Sequence, residues 1–449
     1  MPTFLENIFA QLKRADARVV LREIRGEQFV SATGGELLEM VGQVRTFLRN
    51  SGLQPGDRCA LLAPNSMQWV AFDLALMAEG IIVVPLYSRQ APGELADMMK
   101  DCQPRRLFVS DAVLGEAVAQ AWREAPPRVL FDELLKENAP KAAFSDEPIS
   151  RSDSDIVTII YTSGTLGEPK GVCLNVGNLS YMLARTTERL GQLMSVKGGG
   201  SPDRVFHYLP FNFAASWLVL LSCLTRETRL TLSTDLNKLA EEIRLSSPNY
   251  FLNVPTLLER VRRGVEEALS KRAAPIQTLF GKSREAWQRQ NTGHASALDK
   301  SWLWLARKMI FDKIRERFGR DLRALICGSA PLAPETQQFF LMLRIPVLQA
   351  YGLTETTGIC TMDDPREPAE PGGLSRVWGR SRCPVGVSRR SRSWDRRRSS
   401  GRRWRTSGGR RSPSRRGGRR VLTRRAGRSL RTRPRGHRLS GRAARDRST

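Results

Sequence analysis

The chain has no Cys-x-x-Cys pair, no apolar run long enough to cross a bilayer and, beyond Lys313, no lysine at all. Its seven cysteines (Cys59, Cys102, Cys173, Cys223, Cys327, Cys360 and Cys383) are scattered without metal-ligand spacing. Four of them sit among apolar neighbours and read as buried thiols, which points to a reducing compartment. The start, Met1-Pro-Thr-Phe-Leu-Glu6, lacks a basic region followed by an apolar stretch, so no signal peptide is expected. The longest apolar stretch, around Ser216-Trp-Leu-Val-Leu-Leu-Ser-Cys-Leu224, is far short of a membrane span. These absences together describe a cytoplasmic protein, for which peripheral membrane contact stays open.

Acidic residues are also scarce where basic ones abound. The net charge of +27 suggests a nucleic-acid binder until it is located along the 449 residues. From Leu374 onward there are 28 arginines, no lysine and only Asp395 and Asp446 as acids, a net of +26. The remainder carries +1, the balance of an ordinary globular chain. Clustered like charge without apolar periodicity predicts a disordered tail over 374–449.

In the neutral part, short apolar runs alternate with amphipathic stretches. Residues 33–51 place Leu37, Met40, Val41, Val44, Phe47 and Leu48 at helical spacing. Strands are expected at Arg58–Leu62, Ile81–Leu86, Arg106–Val109 and Arg128–Phe131, with helices between them. The alternation resumes after a polar loop at 132–153, with strands near 156–160, 205–210, 229–232, 250–254, 322–327 and 345–349. Segment 271–300 is polar and reads as an irregular, exposed insertion. Strands apolar on both faces, alternating with helices, predict an α/β fold of parallel-sheet subdomains covered by helices. Residues 1–370 are expected to form that domain.

The stretch Tyr161-Thr-Ser-Gly-Thr-Leu-Gly-Glu-Pro-Lys-Gly-Val172 follows the apolar strand Ile156–Ile160 and precedes a helix that Asn178 or Ser180 would cap. It reads as a strand-to-helix loop with three hydroxyls, three glycines and one lysine. Glycines let backbone N–H groups turn inward, hydroxyls add donors and the lysine supplies charge, which is what a polyphosphate requires. It lacks the Gly-Lys-Ser/Thr ending of a Walker A loop, because Gly171 follows Lys170. Its composition alone also suits a surface turn.

Two further stretches stand at strand ends. Cys327-Gly-Ser-Ala-Pro-Leu332 has small residues that would let a flat ring approach the backbone, or is an ordinary turn with Pro334 opening a helix. Tyr351-Gly-Leu-Thr-Glu-Thr-Thr-Gly358 follows the strand Ile345–Gln349, at the end where α/β sheets place ligands. Glu355 is an oxygen donor of the kind Mg²⁺ takes, or a carboxylate facing a helix dipole.

The wording Tyr-Thr-Ser-Gly-Thr-x-Gly-x-Pro-Lys-Gly resembles the phosphate loop of the adenylate-forming enzymes: acyl-CoA synthetases, nonribosomal-peptide adenylation domains and luciferases. It departs at Leu166, where a hydroxyl residue is usual. The resemblance runs from about residue 20 to about 365 and is strongest toward long-chain fatty-acid CoA ligases, through Gly52-Leu-Gln-Pro-Gly-Asp-Arg58, Pro64-Asn-Ser66, Pro85-Leu-Tyr87 and Asn253-Val-Pro-Thr-Leu-Leu-Glu-Arg260. It implies ATP-dependent activation of a fatty acid to an acyl-adenylate, with Mg²⁺ as cofactor and coenzyme A as co-substrate. A carrier protein as acceptor, or nucleic-acid binding by the arginine-rich tail, are the alternatives. By the same resemblance Thr162, Ser163, Gly164, Thr165, Gly167 and Lys170 would hold the phosphates. Gly328, Ser329, Ala330, Tyr351 and Gly352 would line the adenine. Thr354 would contact the α-phosphate, and Glu355 with Thr162 would hold the metal. Lys170, Thr354 and Glu355 are thus the expected catalytic residues.

Departures from the family follow. Phe213 stands where many acyl-CoA synthetases carry a histidine, and His207, on the preceding strand, reads as structural. No Thr-Gly-Asp occurs after Thr357, and neither the hinge nor the lysine-bearing lid domain of the family is recognisable. The abrupt change near Gly372-Gly373 favours out-of-frame translation of a GC-rich gene over a nucleic-acid-binding arm or an inert appendage. Turnover by such a chain is expected to be impaired.

Overall fold

The computed structural model describes residues 2–135, 147–163, 169–196 and 202–366. The arginine-rich segment from Leu374 onward therefore lies outside the described residues. Strands among the described residues are β1 (Val19–Arg25), β2 (Gln28–Thr33), β3 (Arg58–Leu62), β4 (Ile82–Leu86), β5 (Arg106–Val109), β6 (Arg128–Leu130) and β7 (Ile156–Ser163). They continue with β8 (Pro169–Asn175), β9 (Asp203–His207), β10 (Thr228–Leu232), β11 (Tyr250–Asn253), β12 (Ala324–Cys327), β13 (Val347–Tyr351) and β14 (Thr361–Met362).

They form two sheets. One runs β14-β13-β12-β11-β9-β10-β1-β2, the other β6-β5-β3-β4-β7-β8. Internal pairs are parallel, and antiparallel pairs occur only at the edges, β1 with β2, β13 with β14, and β7 with β8. The parallel strands are buried on both faces, as in β12 (Ala-Leu-Ile-Cys) and β11 (Tyr-Phe-Leu-Asn), because helices cover both sides. The α/β expectation is met.

Helix Met67–Ala78 packs on β1 of the first sheet and on β3 and β4 of the second, so it lies between them. All twelve of its residues except Gln68 are buried, and its composition is apolar around the whole circumference, as a helix between two sheets must be. Helix Ala214–Leu224 is buried almost as completely and joins the same core. Asn65, just before the first of these helices, ties them together. Its Nδ2 donates to the Leu209 carbonyl at 2.7 Å and its Oδ1 accepts the Phe211 N–H at 3.0 Å. Asn65→Ala leaves the Phe211 N–H unpaired and the Leu209 carbonyl with only the Ser216 hydroxyl at 3.0 Å, and a loss of about 1–3 kcal/mol in urea unfolding is expected.

Segment 271–300 differs from expectation. It holds helix Ala274–Asn291 and the start of helix Ala297–Ala306, and the two helices pack against each other as a hairpin. Ile276, Leu279, Phe280, Ser283, Ala286 and Trp287 supply a helical stripe that covers one face of the first sheet. High polarity on the other face hid that period. The hairpin β1–β2 and the helix Phe4–Arg14 before it also went unread, since β2 has its exposed and half-buried residues in no clear alternation.

Candidate functional site

The lysine-bearing stretch forms a β-hairpin rather than a strand-to-helix loop. β7 extends to Ser163, the chain returns as β8, and the helix starts only at Val176. Val172 and Leu174 pack into the core along β8, which draws residues after the lysine into a strand. Asn175 then caps the helix by accepting the Asn178 N–H at 2.8 Å. In the ladder Thr162 stands directly across from Lys170, and Ser163 across from Pro169. Lys170 is exposed. Gly164, Thr165 and Gly167 lie outside the described residues. Tyr161 donates from its hydroxyl to Asp101 at 2.5 Å, and burial with that carboxylate pushes its phenol far above the ordinary range.

The other two stretches stand at the carboxyl ends of β12 and β13. Gly328 is buried and donates to the Asn253 carbonyl at 3.1 Å; a Cβ there would lie 2.9 Å from the Ala350 oxygen, so β13 can sit alongside only if the residue is glycine. Ser329, with φ of +75°, and Ala330 are both exposed beyond it. Tyr351 ends β13 with its side chain 59% exposed. Gly352 passes so close to the backbone at Gly358 that an added Cβ would fall 1.7 Å from that carbonyl oxygen. Gly352→Ala should therefore displace the loop, lowering the melting temperature while most of the fold, read by circular dichroism, survives.

Thr354–Thr356 form a single 3₁₀ turn. The Thr356 hydroxyl accepts the Leu353 N–H at 3.0 Å, and the Gly358 N–H reaches the Leu353 carbonyl at 2.9 Å. This self-closure leaves the Glu355 side chain exposed. Among the described residues, neither the Lys170 ammonium nor the Glu355 carboxylate has a hydrogen-bond or ion-pair partner. The turn lies against β8, with Cα atoms of the two within 8 Å. Stretches some 180 residues apart thus meet, the Lys170 strand from one sheet and the Glu355 turn from the other.

No cluster of three or more metal-ligating side chains exists among the described residues. Mg²⁺ is usually bound through one or two carboxylates together with substrate phosphates rather than by an all-protein cage. The Glu355 carboxylate, exposed and unpaired beside β8, fits such a role, with the Thr162 hydroxyl as an oxygen donor across from Lys170.

A cavity of about 500 Å³ opens at the carboxyl ends of β1, β3, β4, β9 and β10. Arg25, Asn65, Tyr87, Arg89, Tyr208 and Ser233 are among the residues that line it. The Tyr208 and Ser233 hydroxyls are buried there without protein partners. Reading the sequence singled out neither arginine. The signal available was positional, since Arg89 follows the end of β4 by three residues. His207 is not part of the cavity lining: it is fully buried, with Nε2 2.6 Å from the Ser216 hydroxyl and its ring stacked on Phe211. Burial holds its pKa down at about 4, which agrees with a structural role. Phe213 is half-buried against the core.

Several known proteins are similar to this chain. Long chain acyl-CoA synthetase 3 of Arabidopsis thaliana is 27% identical over 369 residues, 76% of this chain and 54% of its own length. The long-chain-fatty-acid–CoA ligase FadD15 of Mycobacterium bovis is 22% identical over 76% of this chain and 58% of its own. The chain therefore spans about half the length of the curated relatives it matches. Among solved structures, the inhibitor-bound N-terminal domain of FACL13 from Mycobacterium tuberculosis superposes with a TM-score of 0.58 at 20% identity, covering 82% of this chain and 79% of that one. A benzoate CoA ligase from Burkholderia xenovorans gives 0.60 at 18% identity, covering 84% and 66%. These structures share the fold. The profile of the AMP-binding enzymes matches residues 9–379, most of the chain, and the protein belongs to that family.

Proposed function

We propose that this chain activates a long-chain carboxylic acid with ATP, giving an acyl-adenylate and pyrophosphate, and passes the acyl group to coenzyme A. The observation that supports this reading is the meeting of β8, the strand that carries Lys170, with the Thr354–Thr356 turn, which carries Glu355; among the described residues neither side chain has a partner. A triphosphate needs both, the ammonium directly and the carboxylate through a metal ion. The long-chain class rests on the named relatives, 27% and 28% identical for the first two.

In this reading Tyr351 offers its exposed ring to the adenine, and Gly328, Ser329, Ala330 and Gly352 admit it to the backbone. Thr162, Ser163, Gly164, Thr165 and Gly167 supply phosphate donors. The acid's carboxylate oxygen attacks the α-phosphorus while the bond to the β-phosphate breaks. Lys170 neutralises charge growing on the phosphate oxygens, and Thr354 donates to the α-phosphate. Bound Mg²⁺, held by Glu355 and Thr162 with phosphate oxygens, would supply the remaining neutralisation. The thiol of coenzyme A then attacks the acyl carbon and AMP leaves. Arg89 in this cavity suits an anionic second substrate such as this phosphorylated thiol, whereas the Arg25 charge is matched by Glu23 at 2.8 Å.

ATP–pyrophosphate exchange over a series of acids tests the first step. Exchange with long-chain acids and none with benzoate or aspartate is expected; absence of exchange with every acid overturns the reading. Exchange without thioester formation would replace coenzyme A by a carrier protein as acceptor.

A further inference from the structure

Among the described residues eleven large hydrophobic side chains are exposed, and three of them fall within twelve residues: Leu298 at 65%, Trp304 at 57% and Met309 at 43%. They belong to one continuous helical stretch made of helix Ala297–Ala306, a π-helical turn Arg307–Phe311 and helix Asp312–Glu316. Its inner side is anchored by Leu303, Ala306, Ile310, Phe311 and Ile314, all buried against the first sheet. The outer side is thus fixed in place, and its apolar residues have no packing role.

Charge on that outer side is arranged as well. Lys300, Lys308 and Lys313 are exposed there, with Asp312 as the one exposed acid between Lys300 and Lys313. Asp299 is turned inward, 2.6 Å from the Arg289 guanidinium, so it does not offset them. The π-turn has a specific effect. It widens the helix by one residue per turn while Ile310 and Phe311 stay in the core, and Lys308, four residues after Trp304, lies 4.8 Å from its ring. Tryptophan beside lysine, next to aliphatic side chains and on a helix lying flat on the body, is the composition that settles at the boundary of a bilayer.

We infer that the outer side of Ala297–Glu316 docks the protein on an anionic lipid surface, with Trp304, Leu298 and Met309 entering the headgroup–acyl boundary and Lys300, Lys308 and Lys313 facing lipid phosphates. Lipid is favoured over a protein partner because the apolar groups are few, separated and interleaved with flexible cations, whereas a protein interface concentrates its apolar contact and excludes lysine from the centre. The inference goes beyond the ligase reading, and its test uses neither nucleotide nor acid, so each can fail alone.

The full chain is mixed with vesicles of phosphatidylcholine, with and without phosphatidylglycerol, whose acyl chains carry bromine as a fluorescence quencher. The arginine-rich segment adsorbs to anionic vesicles too, so partition is measured near 0.1 M salt and again at about 0.5 M, where charge alone is screened. Expected are quenching of Trp304 by anionic vesicles, a partition about tenfold weaker for Trp304→Ser at either salt, and a partition about fivefold weaker for each of Lys300→Glu and Lys308→Glu at low salt. At about 0.5 M salt, where adsorption of the arginine-rich segment with its Trp378, Trp394 and Trp404 is screened, Trp304→Phe should bind as the parent does and lose the quenched component. All four substitutions are at exposed positions, and unchanged melting confirms folding. Equal partition of Trp304→Ser and parent overturns the inference. So does loss on lysine reversal without any Trp304 quenching, which is what contact with an acidic protein surface would give.

Discussion

Lys170→Ala lowers ATP–pyrophosphate exchange by about 10²- to 10³-fold, the range for removing one preorganised charge from a phosphoryl or acyl transition state. The melting temperature stays where it was. Both halves of this expectation come from the geometry. Lys170 is exposed on β8 and has no partner among the described residues, so its ammonium contributes nothing to packing or pairing in the free protein. Its value lies entirely in what it meets when the nucleotide arrives. Lys170→Arg should recover only part of the rate, because a planar fork reaches a different point from a compact ammonium. Glu355→Gln gives a second loss of similar size, which rising Mg²⁺ concentration partly recovers if the carboxylate is the ion's protein ligand, because weakened affinity yields to mass action. Equal falls in kcat and kcat/KM would place both contacts in the transition state, whereas a rise in KM alone would mean they serve binding.

The second large effect concerns stability and pH. Asp73 lies in the apolar helix Met67–Ala78 between the sheets and is 1% exposed. One carboxylate oxygen accepts the Trp217 indole N–H at 2.7 Å, and the other has no partner. Burial pushes its pKa up to about 7, opposed by the indole hydrogen bond. His207, at the end of β9 and hydrogen-bonded to Ser216 of the helix that carries Trp217, is held down at about 4, again by burial. The two act on folding with opposite sign. Folded Asp73 keeps its proton over a range in which the unfolded chain has lost it, so its contribution declines as pH rises from about 4 to 7. Folded His207 stays neutral where the unfolded chain is protonated, so its contribution declines as pH falls from about 6.5 to 4. In the parent these slopes largely cancel.

Single substitutions expose them. Asp73→Asn keeps an acceptor for Trp217 and removes the titration; its unfolding free energy should then climb by on the order of 3 kcal/mol between pH 4 and 6.5, and it should exceed the parent above pH 7. His207→Gln should show the reverse, a decline of on the order of 4 kcal/mol from pH 4 to 7. Urea titrations at half-unit pH steps measure this. Parent-like pH profiles for both variants would mean that neither group titrates as its surroundings dictate.

Why the fold was legible is clear from particular elements. β3, β4 and β5 are short, mostly apolar runs followed by Ala63-Pro64, Tyr87 and Ser110, and they fall within a residue or so of expectation. The hairpin of β7 and β8 was harder. Lys170 and Gly171 are polar or small, which hides a strand whose apolar members, Val172 and Leu174, come only after the turn. Helix Ala274–Asn291 was missed for a related reason, since its buried stripe is interrupted by Ser283 and surrounded by charge. Asp73 carries no local signal whatever: an acid inside an apolar helix is indistinguishable from an exposed one until the second sheet is placed over it. The loops at Gly328 and Tyr351 were found from their wording, and the structure adds the reason for their glycines, close passage of one backbone over another. Arg25 and Arg89 join one cavity only because two sheets converge, a relation no single stretch contains.

Equilibrium binding of ATP, with and without Mg²⁺, to the parent, Lys170→Ala, Glu355→Gln and the double variant addresses the central claim most directly. If the β8 strand and the Thr354–Thr356 turn grip one triphosphate, each single variant binds more weakly, magnesium strengthens binding only when Glu355 is present, and the two losses are coupled rather than additive. Additive losses together with an unchanged magnesium effect in Glu355→Gln would contradict it, because the two side chains would then be acting on separate ligands.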